Sequence, residues 1–333
     1  DALRFTLATG GAAGYDFRLY DEKLEAGRNF ANKIWNAARF VVQSIGKESV
    51  RLPDQRPAHD QPVEDRWIVS RANAVAREPN RLLGEFQINE AGQLLYEFFW
   101  GEYCDWYLEM AKVRLKDGPS GKDSPLPVLA DVLQTSLRLL HPLMPFVTEA
   151  AWQYLRGAVK GLAPDSIMVA AYPSGEGELD VEAEGQIRVV MDVVRAIRNI
   201  RAERGVDPAR YAETYVSADG ARPVLEAARP LVETLARARP LHILSPNEEL
   251  PKSGVASAVL RDAQVALPLA ALLDVHAERT RLSAQLAEAE AEVRRLEGKL
   301  AGGGPHACRG SASEAGGARL SSGWRGLRIR YGG

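Results

Sequence analysis

Residues 27–40 read GRNFANKIWNAARF, and the rest of the chain is best approached from this stretch. It holds three cations, three asparagines and a tryptophan without one carboxylate. Wound as an α-helix, Arg28, Asn32, Trp35, Asn36, Arg39 and Gln43 share about 100° of arc, with Lys33 at the flank. Phe30, Ile34, Ala37, Val41 and Ile45 take the opposite side, which predicts an amphipathic helix with its apolar stripe turned to a core. Guanidinium groups bind phosphate or base edges in bidentate fashion, amides read base edges, and an indole stacks on an unpaired base. Such a face suits a single-stranded RNA loop. Spacing alone leaves a second reading open: a solvated face with Trp35 tucked under a neighbour.

Outward from this helix, periodicity predicts a second helix over 63–83 and a long third one over roughly 86–116, holding QLLYEFFWGEYCDWYLEMAK. A fourth runs from Leu126 towards Trp152 and should split at Pro142 and Pro145. RLPDQRPAHDQP and KDGPSGKDSP are the loops between them. The fold class is mainly α: an antiparallel helix bundle over 21–156, preceded by a junction over 1–20. A small mixed α/β unit over 157–274 follows, in which IMVAAYP, ETYVSA, LHIL and SAVLRDAQVALPL read as strands. GQIRVVMDVVRAIRNIRAERG reads as a helix ended by Gly205, and another helix is expected near 222–237. Over 275–300, Leu282, Leu286, Ala289, Val293, Leu296 and Leu300 alternate at coiled-coil spacing, an incomplete arm too short to stand without a second helix. Residues 301–333 lose all apolar period and are rich in Gly, Ala, Arg and Ser. They read as disordered sequence or as out-of-frame translation of a GC-rich gene.

Composition narrows the function. The chain has 333 residues with a formal net charge of −2, so any nucleic-acid contact has to be local rather than spread over the whole surface. The two cysteines, Cys104 and Cys308, fit a reducing compartment and cannot build a Cys-rich metal site. No apolar run reaches the ~18 residues of a membrane span.

GRNFANKIWNAARF closely resembles the opening helix of the anticodon-binding domain of bacterial valyl-tRNA synthetases, which are class I aminoacyl-tRNA synthetases. DALRFTLATGG resembles the junction after that family's catalytic domain, and WGEYCDWYLEMAK and LLHPLMPFVTEAAW resemble its middle and last bundle helices. VVRAIRNIRAERGVDP resembles the helix entering the C-terminal region, and the heptads from Leu282 to Leu300 resemble the first strand of a C-terminal coiled coil. The resemblance implies a tRNA partner, tRNA(Val), held at its anticodon stem and loop, and it accounts for the missing carboxylates, which would repel phosphates. The candidates it gives are Arg28, Asn32, Lys33, Trp35, Asn36 and Arg39, with Arg198 and Arg201 as weaker ones. It also implies a cytoplasmic, monomeric full-length enzyme that joins valine to tRNA with ATP and Mg.

Neither the His-Ile-Gly-His nor the Lys-Met-Ser-Lys-Ser signature of that enzyme class occurs in this sequence. No catalytic residue and no cofactor is therefore assigned to the chain, which opens without Met and reads as part of something longer. A free-standing RNA-binding module and a coiled-coil adaptor without RNA contact are the alternatives. The remaining motifs are weaker. His141 has no nucleophile or carboxylate constellation and reads as structural. Tyr96, Phe98, Phe99, Trp100, Tyr103, Trp106 and Tyr107 read as core, with one or two outside. Arg195, Arg198, Arg201 and Arg204 are smeared over half a helix. GPSGKDSP lacks the first Gly and the Ser or Thr of a phosphate loop.

Overall fold

Helix α2 runs from Asp21 to Ile45, with Phe30, Ile34 and Val41 fully enclosed and Ala37 and Ile45 nearly so. The computed structural model describes residues 1–11, 16, 18–46, 49–53, 61–116, 124–218, 220–245, 248, 250–251, 253–268 and 275–301. Helix α1 (Ala2–Thr9) crosses α2 at Gly27. A Cβ there would lie 2.7 Å from Thr6 Oγ1 and 2.8 Å from the Ala2 carbonyl oxygen, so the crossing requires glycine.

Helix α3 spans Val63–Gly84. The long third helix is one rod of three parts: α4 (Ile88–Glu97), a π-helical segment (Phe98–Tyr107) and α5 (Leu108–Leu115). In the middle part the Leu108 amide donates to the Tyr103 carbonyl, five residues back. The wider turn turns Phe98, Phe99, Tyr103, Trp106 and Tyr107 all inward, while Tyr96 and Trp100 are half-buried. Phe99, Tyr103 and Tyr107 form a ladder with ring centroids 5.5 and 6.2 Å apart. The last bundle helix is split, as its prolines require, into α6 (Leu126–Leu140) and α7 (Pro145–Arg156). Pro145 opens α7, where its missing N–H costs nothing.

Beyond α7, strands β1 (Val50–Arg51) and β2 (Val159–Lys160) pair in parallel. IMVAAYP is not a strand: Ile167–Val169 form one 3₁₀ turn capped by Ser166, with Met168 and Val169 exposed. Helix α8 (Val181–Glu203) ends as expected before Gly205, whose φ is +63°. Strands β3 (Ala212–Ser217), β4 (Ala238–Leu244), β5 (Val255–Val259) and β6 (Gln264–Pro268) form a sheet of order β4-β3-β6-β5. β3 and β4 are parallel, and the other pairs are antiparallel. The crossover from β3 to β4 is two short helices, α9 (Arg222–Ala227) and α10 (Arg229–Leu235), rather than the single helix expected, with Pro230 in the first turn of α10.

Helix α8 packs along α3 and is tied to it by polar contacts. Arg66 Nε donates to Asp180 at 2.8 Å and Ser70 Oγ donates to Glu184 at 2.5 Å, while Arg71 of α3 forks onto Glu102 of the π-helical segment at 2.7 and 2.9 Å. The chain divides into two compact units, residues 1–273 and 274–333. In the second, helix α11 spans Val275–Ala301, and Leu286, Val293 and Leu296 of its heptad stripe are exposed. The reading of residues 301–333 as a disordered or out-of-frame tail falls, apart from Ala301 at the end of α11, outside the described residues, as do 54–60 and 117–123 of the two loops.

A buried ionic cluster holds α3 to α5. Asp65 is 1 % exposed and accepts from the Tyr107 hydroxyl at 2.6 Å and from Arg114 at 2.7 and 3.1 Å. Arg114 also reaches Glu64 at 3.2 Å. Burial raises the Glu64 pKa, and the pull of Arg114 only partly offsets it. The folded state therefore takes up this proton before the unfolded chain does. The contribution of the group to folding is complete below its unfolded value, 4.5, and is lost as pH rises through the raised folded value. Glu64→Gln, neutral at every pH, is expected to gain on the parent as pH rises, read from denaturation midpoints taken at acid and at neutral pH.

Candidate nucleic-acid interface

The carboxylate-free face of α2 is a surface in the structure. Arg28, Asn32, Trp35, Asn36, Arg39 and Gln43 are exposed, and Lys33 is half-buried at the edge. Among the described residues, Asn32, Asn36 and Arg39 make no hydrogen bond or ion pair with the rest of the chain, so their polar groups are open to a ligand. Trp35 is 39 % exposed and lies flat against Tyr154 of α7, centroids 5.7 Å apart and planes 27° apart. It is thus neither a free platform nor a core residue. One face of the ring is backed by a second, equally exposed aromatic, and the pair presents an apolar step between Arg28 and Arg39.

The two remaining cations of the stretch carry local partners that the sequence did not show. Arg28 pairs with Glu25 one turn back at 3.1 Å, in full solvent. Lys33 Nζ bonds Asp105 of the π-helical segment at 2.8 Å and sits 4.9 Å above the Trp100 ring. Lys33 is therefore positioned by the neighbouring helix, and its charge is half answered by Asp105.

The two weaker candidates on α8 part company. Arg198 is exposed; its Nε donates to the Leu235 carbonyl at 3.0 Å and its guanidinium lies 5.6 Å from the centre of the Trp106 ring. Arg201 is corrected by the structure: it is 5 % exposed and cannot meet a ligand at the surface. Its Nη1 donates to the Arg237 carbonyl at 2.9 Å, and its Nη2 donates to the carbonyls of Asp207 and Arg210 at 3.0 and 2.6 Å. Burial, then the neighbouring Arg237, pull its pKa down, yet an arginine stays charged. The signal was present in the spacing, because Val190, Val194, Ile197 and Arg201 continue one apolar stripe of α8. His141 is structural, with Nδ1 2.8 Å from Thr148 Oγ1 at the α6–α7 break. The half phosphate loop GPSGKDSP falls for the most part outside the described residues.

Comparison with known proteins gives this architecture a class. Residues 65–216 match the anticodon-binding domain of tRNA ligase, a span from α3 through β3 that begins after α2. Residues 65–216 thus have the character of an anticodon-binding domain of the tRNA ligase kind. Over 307 residues the chain is 44% identical to a valine–tRNA ligase of Dehalococcoides mccartyi, covering 90% of this chain and 34% of that protein. It is 39% identical to the Symbiobacterium thermophilum enzyme of the same name and 37% identical to that of Geobacillus stearothermophilus, each over 91% of this chain. Over about nine tenths of its length the chain is thus similar to valine–tRNA ligases, and it spans about a third of the length of those relatives.

Proposed function

We propose that this chain is the tRNA-recognition portion of a valine–tRNA ligase and that the exposed face of α2 meets the anticodon stem and loop of tRNA(Val). The observation that carries the reading is an RNA-compatible face left chemically unsatisfied by its own protein. Asn32, Asn36 and Arg39 are open and Trp35 is backed by Tyr154, on a helix packed into an anticodon-binding bundle. The net charge of −2 makes a local patch, rather than the whole surface, the place for a polyanion. On this reading, activation of valine with ATP and Mg belongs to the other two thirds of such proteins, and this chain works in the cytoplasm as part of a monomer. Among the described residues no helix is long and apolar enough to cross a membrane.

The test is direct binding of a valine tRNA transcript to the chain by filter retention across a salt series. Saturable binding that weakens steeply with salt is expected. No preference over an unrelated RNA hairpin at any salt concentration would defeat the reading.

A further inference from the structure

We propose that a second RNA-backbone contact runs from the flank of α2 across Trp106 to an arginine cluster around Tyr211, on the α/β unit. The inference rests on the tRNA-binding reading above and extends it to residues outside the α2 face. The band can be followed contact by contact. Lys33 on α2 reaches Asp105. Its neighbour Trp106 lies under two guanidinium groups, Arg195 at 5.1 Å and Arg198 at 5.6 Å from the ring centre. Arg198 donates to the carbonyl of Leu235, two residues before Arg237. Arg237 and Arg239 then stand 5.3 and 5.0 Å from the centre of the Tyr211 ring, and Arg237 Nη1 donates to the Tyr211 hydroxyl at 3.2 Å.

The chemistry of these arginines points to phosphate. Arg195 and Arg239 have carboxylate partners, Asp192 at 3.3 Å and Glu233 at 3.1 Å. Arg198, Arg201 and Arg237 are held instead by carbonyl oxygens, a hydroxyl and aromatic rings, with no ion pair among the described residues. Neutral partners fix a guanidinium without cancelling its charge. The exposed Arg198 and Arg237 are therefore positive groups already ordered, which lowers the entropy lost on gripping an anion. Buried Arg201 adds its charge from beneath while pinning the backbone of both Arg210 and Arg237.

Arg237 itself has φ +53°, a left-handed conformation that a non-glycine residue rarely adopts. Its carbonyl accepts from both Arg201 and the Ala212 amide, which holds the strained turn in place. Strain maintained at an exposed arginine, at a point where a glycine or asparagine would sit more easily, suggests that the side chain is wanted there. Arg204 and Arg210 are also exposed along the loop that Arg201 pins. The continuity of the band with α2 suits the backbone of one RNA stem lying along both, rather than a separate small anion.

The test compares two double variants of the full chain with the parent, using a valine tRNA transcript over a salt series. Arg237→Glu/Arg239→Glu is expected to weaken binding about tenfold at fixed salt and to lower the slope of log K against log salt by about two, one for each phosphate contact. Arg237→Asn/Arg239→Gln guards against misfolding, since asparagine tolerates φ above zero. It should show the same lowered slope with an unchanged melting temperature. If both variants bind as the parent does while Arg28→Glu/Arg39→Glu fails, the Tyr211 cluster is no contact and the α2 reading survives. If the parent itself shows no salt-dependent tRNA binding, both readings fall.

Discussion

Replacing Asp65 with alanine is expected to destabilise the protein by about 3–5 kcal/mol, because the partner charge stays behind in the core. Asp65 is enclosed and answers two groups at once, the Tyr107 hydroxyl and the fork of Arg114. Removing the carboxylate leaves a half-buried guanidinium without the carboxylate it holds at 2.7 Å, beside Glu64 at 3.2 Å, whose pKa burial raises. It also leaves a hydroxyl without an acceptor inside the bundle. Total stabilities of domains run at about 5–15 kcal/mol, so this one change removes a large fraction. Tyr107→Phe deletes only the hydroxyl's hydrogen bond and should cost about 1 kcal/mol. Urea midpoints of the two variants, with the slope checked for change, decide the matter. A cost for Asp65→Ala no larger than that for Tyr107→Phe would mean that Arg114 escapes to water and that the cluster contributes little.

How much of this molecule could be read in the sequence follows from the kind of signal each feature leaves. The stripe Phe30, Ile34, Ala37, Val41 and Ile45 has a period, and a period survives into the structure as a buried face. The split at Pro142 and Pro145 was legible because a proline removes a donor wherever it stands. IMVAAYP misleads because a short apolar run looks like a strand until a partner is sought. Here Ser166 caps a single turn and no neighbour takes up Met168 or Val169. The π-helical segment leaves no mark in composition, since the same aromatics would also have filled an α-helical core. At the candidate interface, the openness of Asn32, Asn36 and Arg39 was foreseeable from the arc they share. The pairing of Lys33 with Asp105 was not, because it joins residues seventy-two apart through packing that spacing does not encode. Four arginines smeared over half a helix could not all face outward, and Arg201 is the one that sits on the apolar stripe and is buried.

Arg28→Glu/Arg39→Glu is expected to reduce binding of a valine tRNA by about tenfold to 100-fold at low salt and to flatten its salt dependence by about two in slope. Fold stability should move by less than about 0.5 kcal/mol, since both side chains are exposed and the Arg28–Glu25 pair lies in full solvent. Trp35→Ala on the same face reports a different interaction. Stacking of a base on an aromatic ring is worth about 1–3 kcal/mol, independent of salt, so this variant should lose affinity with the slope unchanged. The contact of Trp35 with Tyr154 makes the outcome informative in either direction. If the indole serves RNA, affinity falls while the melting temperature holds. If it serves only to cover α7, the melting temperature falls and tRNA binding, measured below it, stays as in the parent. Charge reversal at Arg28 and Arg39 with no change in binding at low salt would show that this face meets only water, and the assignment of α2 to the anticodon would have to be given up.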